Sequence, residues 1–153
     1  MANLTIRVDD REIQQALGQL QTRLSNLLPV FKNIGEYMVL ATTERFDNEV
    51  DPQGNSWHPL TTATIARKQR KGKILKILQQ DGDLRRTIVY QASVDRVEIG
   101  TNRIYGAIHQ FGGQAGRRRS VTIPARPFLG VSESDKSEIL AIIEDYLSSL
   151  SSS

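Results

Sequence analysis

Apolar and polar positions alternate at the start of the chain and then recur at helical spacing. Leu4, Ile6 and Val8 alternate with polar residues, which predicts a strand with one buried face. Asp9 or Asp10 follows and can accept a hydrogen bond from the free amides that open a helix. The apolar residues after it recur at three- and four-residue steps, as an amphipathic helix requires. They are Ile13, Leu17, Leu20, Leu24, Leu27 and Leu28.

A proline separates this helix from a second one. Pro29 lacks an amide hydrogen and disfavours helical geometry at the residue before it, so the second helix is predicted to begin near Val30. Its apolar stripe comprises Phe31, Ile34, Met38 and Ala41. Turn-forming residues displace the helical pattern at 47–55, which predicts a loop that goes on to hold Trp57 and His58.

Short elements are predicted for the middle of the chain, where turn formers interrupt every apolar run. They are a helix at 61–69 capped by Thr61 or Thr62, a charged tip at 70–73, a helical turn at 84–87 capped by Asp83, and a hairpin with strands at 88–94 and 96–100.

The sequence of the C-terminal third predicts a short helix, a short strand and a long helix. The short helix spans 105–111, with Ile104, Ile108 and Phe111 able to share one apolar face, and Gly112-Gly113 ends it. A loop of about ten residues follows. The remaining elements are a strand through Val121 and Ile123 that Pro124 ends, and a helix capped by Ser132 with the stripe Ile139, Ile143, Tyr146 and Leu150.

Helices at both ends around hairpin-connected strands predict an α+β domain. We expect an antiparallel sheet of about four strands covered by long N-terminal and C-terminal helices, with its other face open to water or a partner. At 153 residues the chain fits one domain, which we place at 1–147. The serine-rich tail at 148–153 is expected to be disordered.

The composition and charge of the chain exclude several classes of protein. The chain has no cysteine, which excludes disulfides and thiolate chemistry. Neither a signal peptide nor an apolar run of membrane-spanning length is present, so a soluble cytoplasmic protein without a membrane partner is expected. Eight Lys and Arg lie between 67 and 86 against two Asp. Such a patch can bind nucleic acid or an acidic protein surface, although a solvated face is the simpler interpretation.

Catalytic chemistry is not indicated. His58 and His109 are the two histidines, too few for a zinc site, and no Gly-x-Ser-x-Gly elbow presents a serine to them. The glycine-rich run at 112–116 follows a helix, whereas phosphate loops precede one. We therefore predict no enzyme, no metal and no cofactor. A small hydrolase that uses His109 is kept only as a control hypothesis, because supporting the glycine turn is the simpler role for this residue.

Several side chains are candidates for partner contacts. Arg117, Arg118 and Arg119 could pair with phosphates or carboxylates, or could form a solvated loop. Lys71 and Lys73 are further candidates for contact with nucleic acid. Trp57 is expected to anchor its loop rather than stack on a ligand.

Four blocks of sequence together resemble one known family. They are DPQGNSWHPL at 51–60, DGDLRRTI at 81–88, YGAIHQFGG at 105–113 and IPARPFLG at 123–130. In this order they are similar to the phage virion morphogenesis, or tail completion, family of Mu-type contractile-tailed phages and prophages.

The resemblance implies a structural protein that completes the tail and helps join it to the head at the neck, with no catalytic residue. It also implies a ring-shaped homo-oligomer, a hexamer by analogy, that contacts the tail-tube or tail-terminator protein and the head–tail connector. Such a protein is assembled in the host bacterial cytoplasm and ends in the tail or neck of the virion.

The last block has a physical interpretation of its own. Pro124 and Pro127 fix the backbone on either side of Arg126, which predicts a rigid docking corner that presents Arg126 and Phe128. Ring contacts need two complementary patches, and we expect the basic 67–86 region and the acidic residues at 44–51 and 133–138 to supply them. The alternative function is a basic nucleic-acid-binding module near the DNA exit path.

Overall fold

The computed structural model describes residues 4–6, 10–79, 83–103 and 105–151. The helices are α1 (Arg11–Gln21), α2 (Leu28–Asn48), α3 (Thr62–Arg70), α4 (Asp83–Arg86), α5 (Gly106–Phe111) and α6 (Glu133–Ser151). The strands are β1 (Leu4–Ile6), β2 (Val89–Ala92), β3 (Val97–Thr101), β4 (Gly113–Ala115) and β5 (Val121–Ile123).

The predicted helices are present, although α1 ends at Gln21 and leaves Leu24 and Leu27 of the predicted stripe in the connection to α2. Local hydrogen bonds explain where two of the helices begin. The carboxylate of Asp10 accepts from the amide of Ile13 at 3.1 Å, and the hydroxyl of Thr61 accepts from the amide of Thr64 at 3.2 Å. Pro29 lies in the first turn of α2, where a missing amide hydrogen costs nothing. Val8, Asp9, Ile104 and the first two residues of the block at 81–88 belong to sequence predictions but fall outside the described residues.

The strands form two separate antiparallel sheets, so the prediction of a single sheet of about four strands was wrong. One sheet has the order β1-β3-β2 and the other pairs β4 with β5. In the first, Leu4 lies opposite Thr101 and Tyr90 opposite Ile99. β4 lies in the segment that was predicted to be a loop. The fold class, a mixed α+β structure, is confirmed.

The larger sheet packs against α2, the longer of the two N-terminal helices, whereas the C-terminal helix α6 packs against α1 and α2 instead of covering the sheet as predicted. Tyr90 and Ile99 turn toward the core, whereas Val89 and Gln91 alternate with Tyr90 and stay exposed. The approach is close at Gly35, where an added Cβ atom would lie 2.4 Å from the Tyr90 ring. A glycine at this point of α2 therefore sets the distance between helix and sheet.

The terminal helices pack against each other, and α6 also packs against α2. Ile13 and Leu20 from α1 and Ile139 and Ile143 from α6 are buried in one common core. At the edge of this contact, the ammonium of Lys136 lies 3.1 Å from the carboxylate of Asp10. The helix continues to Ser151, so the part of the predicted disordered tail that the structure describes is helical.

Candidate interaction site

The segment 123–130, called the corner below, is an irregular stretch of chain whose carbonyl groups are bound by side chains. The indole Nε1 of Trp57 donates to the carbonyl of Pro127 at 2.7 Å. The Nη1 of Arg45 donates to the carbonyls of Phe128 and Gly130 at 3.1 and 3.0 Å. Buried backbone without a strand or helix partner needs such donors, and the loop at 51–60 and helix α2 supply them.

Gln110 binds the same segment from α5. Its Oε1 accepts from the amides of Phe128 and Leu129, both at 3.0 Å, and its Nε2 donates to the carbonyl of Leu129 at 2.8 Å. The amide of Arg126 donates to the carbonyl of His109 at 2.7 Å. One amide side chain therefore replaces the ladder that a neighbouring strand would provide.

A buried ion pair fixes the end of the corner to α6. The guanidinium of Arg45 bonds the carboxylate of Asp135, and the two residues are 6% and 4% exposed. That carboxylate also accepts from the hydroxyl of Tyr37 at 2.8 Å and from the amide of Ser132 at 2.9 Å. Burial, followed by the neighbouring carboxylate, raises the pKa of Tyr37. The Ser132 hydroxyl caps α6 in return, accepting from the amide of Asp135 at 3.0 Å.

The corner does not present Arg126 and Phe128 to a partner, which corrects the sequence prediction. Phe128 is fully buried and its ring packs against Phe46. Arg126 is 8% exposed, and its guanidinium donates to the carbonyls of His58 and Pro59 at 2.8 and 3.2 Å. Trp57 is buried as well, in agreement with its predicted role as the anchor of its loop. These three side chains hold the protein's own backbone.

Gly112 allows α5 to meet the corner. Its φ of +73° lies in the region that side chains disfavour. A Cβ atom there would lie 2.9 Å from the amide nitrogen of Ala125 and 3.0 Å from the carbonyl oxygen of Ile123. The turn that ends the helix is thus also the point where two of the sequence blocks touch.

A groove of about 740 Å³ opens beside the corner, between α3 and the β4–β5 hairpin. Its polar lining is rich in basic and hydroxyl groups and, within the described part of the chain, contains no carboxylate. The basic side chains that line it are His58, Arg67, Lys68, His109 and Arg126. The groove therefore has a positive potential, which favours an anionic ligand.

His109 is partly buried at the base of this groove. Its Nδ1 atom is enclosed and has no hydrogen-bond partner among the described residues, while the ring lies edge-on to Tyr105 with the centroids 6.1 Å apart. Burial, and to a smaller extent the charge of Arg126, lower the pKa of His109. The folded protein therefore favours the neutral imidazole.

This shift predicts that acid destabilises the protein through His109. The pKa of the residue is below the ordinary value of 6.5 in the folded state, so the unfolded chain binds the proton first as the pH falls. We expect the free energy of unfolding to fall as the pH drops below 6.5 toward the lowered pKa, as measured by urea denaturation at a series of pH values. His109→Gln should flatten the curve in this window relative to the unchanged protein. An equal slope in the variant and the unchanged protein would contradict the assignment.

The predicted basic contacts lie outside the groove lining. Arg117, Arg118 and Arg119 are exposed on the turn that joins β4 to β5. Lys71 is exposed at the end of α3, and Lys73 is half-buried. Nothing in the structure shows a partner protein or nucleic acid at these residues, so their roles stay predictions.

Part of the expected pairing between acidic and basic patches occurs inside one chain. Arg85 binds the carboxylate of Asp47 through two contacts of 3.0 Å. The carboxylate of Glu49 accepts from the amide of Ile77 at 2.8 Å. These carboxylates of the 44–51 patch have partners within the subunit, and a contact of the patch with a neighbouring copy stays a prediction.

The described residues hold no group of three or more His, Cys, Asp or Glu side chains close enough to share a metal ion. None of their helices has the length and apolar character to cross a membrane.

Comparison with known proteins gives consistent matches over most of the chain. A model of the phage virion morphogenesis family matches residues 8–148. The chain is 35% identical over 136 residues to the Mu-like prophage FluMu G protein 2 of Haemophilus influenzae, covering 89% of each chain. It is 31% identical over 149 residues to the putative capsid assembly protein G of Escherichia phage Mu, covering 95% of each. No solved structure is significantly similar.

Proposed function

The chain belongs to the phage virion morphogenesis family, and we propose that this structural assembly protein completes the tail and joins it to the head at the neck. The observation that carries the proposal is that the corner is buried and that its side chains contact other parts of the same chain. Trp57, Arg126 and Phe128 maintain a rigid scaffold, which leaves the exposed arginines at 117–119 for contact with partners. An assembly protein needs a rigid scaffold with exposed contact residues, since it binds the surfaces of other proteins and converts no substrate.

The name of a relative supports a position next to the head. The phage Mu protein is described as a putative capsid assembly protein, and a neck component must touch the head as well as the tail. We place the mature protein in the tail or neck of the virion, after assembly in the host bacterial cytoplasm. A role in building the capsid itself is the second candidate, and the same name favours it.

We propose that the role is non-enzymatic. A catalytic histidine needs an orienting acid and an adjacent nucleophile. His109 has no partner at Nδ1 in the described structure, and the Nδ1 of His58 contacts the carbonyl of Pro59 at 3.0 Å. The hydrolase hypothesis therefore lacks the relay that it requires.

A closed ring is the assembly that fits a neck. We propose a hexameric homo-oligomer that contacts the tail-tube or tail-terminator protein on one side and the head–tail connector on the other. Head-to-tail contacts between copies close into a ring when the rotation per subunit closes. Light scattering of the purified protein checks this, and a strictly monomeric protein that also stays monomeric on tail ends would contradict it.

Disrupting the gene should separate heads from tails. In a phage that carries this gene, we expect filled heads and unattached tails with incomplete ends, because the junction lacks one of its components. Electron microscopy of the lysate measures the fraction of joined particles, and a plasmid copy of the gene should restore it. Misshapen or missing heads with otherwise complete tails would instead support the capsid candidate.

The nucleic-acid alternative is tested by its salt dependence. Phosphate contacts weaken steeply between low and physiological salt. If duplex DNA binds the purified chain, and if neutralising Arg117 to Arg119 or Lys71 and Lys73 weakens that binding, the alternative gains support. No shift of DNA at low salt rules it out.

A further inference from the structure

The groove beside the corner has the geometry of a peptide site along a strand edge. Val121, Thr122 and Ile123 are consecutive in β5, and all three line the groove. Successive side chains of a strand point to opposite faces, so a surface that touches all three must run along the edge of the strand. No residue of β4 lines the groove, since β4 lies on the other side of β5. The groove therefore follows the edge of β5 that β4 leaves open.

An open strand edge offers amide and carbonyl groups to a new strand. β4 is the one strand paired with β5 in the described part of the chain. Val121 is 50% exposed, and Thr122 is exposed beside it. Extended peptides bind such edges by adding a strand, with backbone hydrogen bonds for affinity and side-chain pockets for specificity.

The charge of the groove lining determines which side chains a bound peptide should carry. Arg67 is exposed on α3 above the groove, and no hydrogen bond or ion pair joins its guanidinium to another described residue. At the base, the guanidinium of Arg126 donates to two neutral carbonyl oxygens. With no carboxylate among the described residues of the lining, acidic side chains of a ligand would meet the positive charge of Arg67.

We propose that the groove binds an extended acidic segment of a partner protein, which adds as a third strand beside β5. The proposal rests on the proposed assembly role in one respect, namely that the partner is another virion protein. Its chemistry follows from the groove itself. Acidic side chains of the segment face the exposed Arg67, and apolar side chains alternate with them.

The apolar part of the lining favours a peptide over a nucleic acid. Leu60, Leu78 and Leu84 line the groove together with Pro59 and Pro124. A volume of about 740 Å³ is within the range of ligand pockets, roughly 300–1,000 Å³. Single-stranded nucleic acid favours rows of aromatic side chains on which bases stack, whereas Tyr105 is the one Phe, Tyr or Trp side chain in the lining formed by the described residues.

The test uses a labelled octapeptide of alternating glutamate and valine with the full-length protein. We expect binding at low salt that weakens as salt rises, and an affinity at least tenfold lower for Arg67→Glu. Lys32→Glu is the matched control, because Lys32 is an exposed cation on α2, outside the groove lining, and the change in net charge is the same. Saturation with the peptide should also slow hydrogen exchange of the amides in 121–123.

Four results would overturn the proposal. One is no binding of the octapeptide at low salt. Another is an equal loss of affinity in Arg67→Glu and Lys32→Glu, or unchanged amide exchange in 121–123 at saturation. The last is tighter binding of an oligothymidylate of eight nucleotides that protects the same amides, which would make the groove a nucleic-acid site. In each case, unjoined heads and tails after gene disruption would still support the assembly role, because that experiment does not depend on the groove.

Discussion

Replacing Arg45 by methionine is expected to lower the free energy of unfolding by about 3–5 kcal/mol, the usual result of breaking a buried ion pair on one side. The change leaves the carboxylate of Asp135 buried without its cation. It also removes the donor to the carbonyls of Phe128 and Gly130. The free energy of unfolding of a domain is about 5–15 kcal/mol in total, so this loss is a large part of it. Urea denaturation followed by circular dichroism measures it.

An exposed ion pair of the same chemistry provides the control. Arg85 binds Asp47 with two contacts of 3.0 Å, but the two side chains are 35% and 53% exposed. Surface pairs contribute about 0–1 kcal/mol, so Arg85→Met should have little effect. The double variant Arg45→Met with Asp135→Leu should lose less stability than the sum of its single variants, because the two side chains are coupled. Strict additivity would show that the pair does not act as a unit.

The helices could be predicted because their signals are local. The cap at Asp10 and the spacing of Ile13 and Leu20 lie within a few residues of one another, and the structure uses each as predicted. The cap at Ser132 and the stripe through Ile139 and Ile143 are equally local. Such patterns need no knowledge of what the helix packs against.

The division into two sheets could not be predicted in the same way. β4 consists of Gly113, Gln114 and Ala115, which carry no alternation of apolar and polar residues. β5 was predicted, but its partner is fixed by the close contact of Gly112 with Ile123 and Ala125. A long-range backbone contact of this kind leaves no periodic pattern in the sequence.

The roles of the corner residues were predicted incorrectly for a related reason. Arg126 and Phe128 lie in an irregular segment, where exposure is the usual expectation. The segment is buried because side chains from elsewhere satisfy its backbone, above all Gln110 and Arg45. One signal was available, since Arg45 continues the buried row of Met38 and Thr42 in α2. A charged residue on such a row indicates an internal partner.

Replacing Phe128 by alanine is expected to lower the free energy of unfolding by about 3–5 kcal/mol, the usual cost of deleting a large aromatic side chain from a core. Phe128 is 0% exposed, and its ring centroid lies 5.3 Å from that of Phe46. Phe46 also meets the ring of Trp57 edge-on, with the centroids 5.4 Å apart. The cavity would therefore disturb the contacts that anchor the corner and its neighbouring loop. Thermal and urea denaturation measure the loss.

A second phenylalanine, Phe111 in the block at 105–113, provides the control for Phe128→Ala. Phe111 ends α5 and is 71% exposed, so Phe111→Ala should change stability by no more than about 0.5 kcal/mol. If Phe128 were instead the docking residue that the sequence alone suggests, Phe128→Ala would fold normally and fail only in virion assembly. The structure requires the opposite result for Phe128. Phe111 is the phenylalanine that a partner can reach, so any loss of assembly in Phe111→Ala at unchanged stability would identify a contact surface directly.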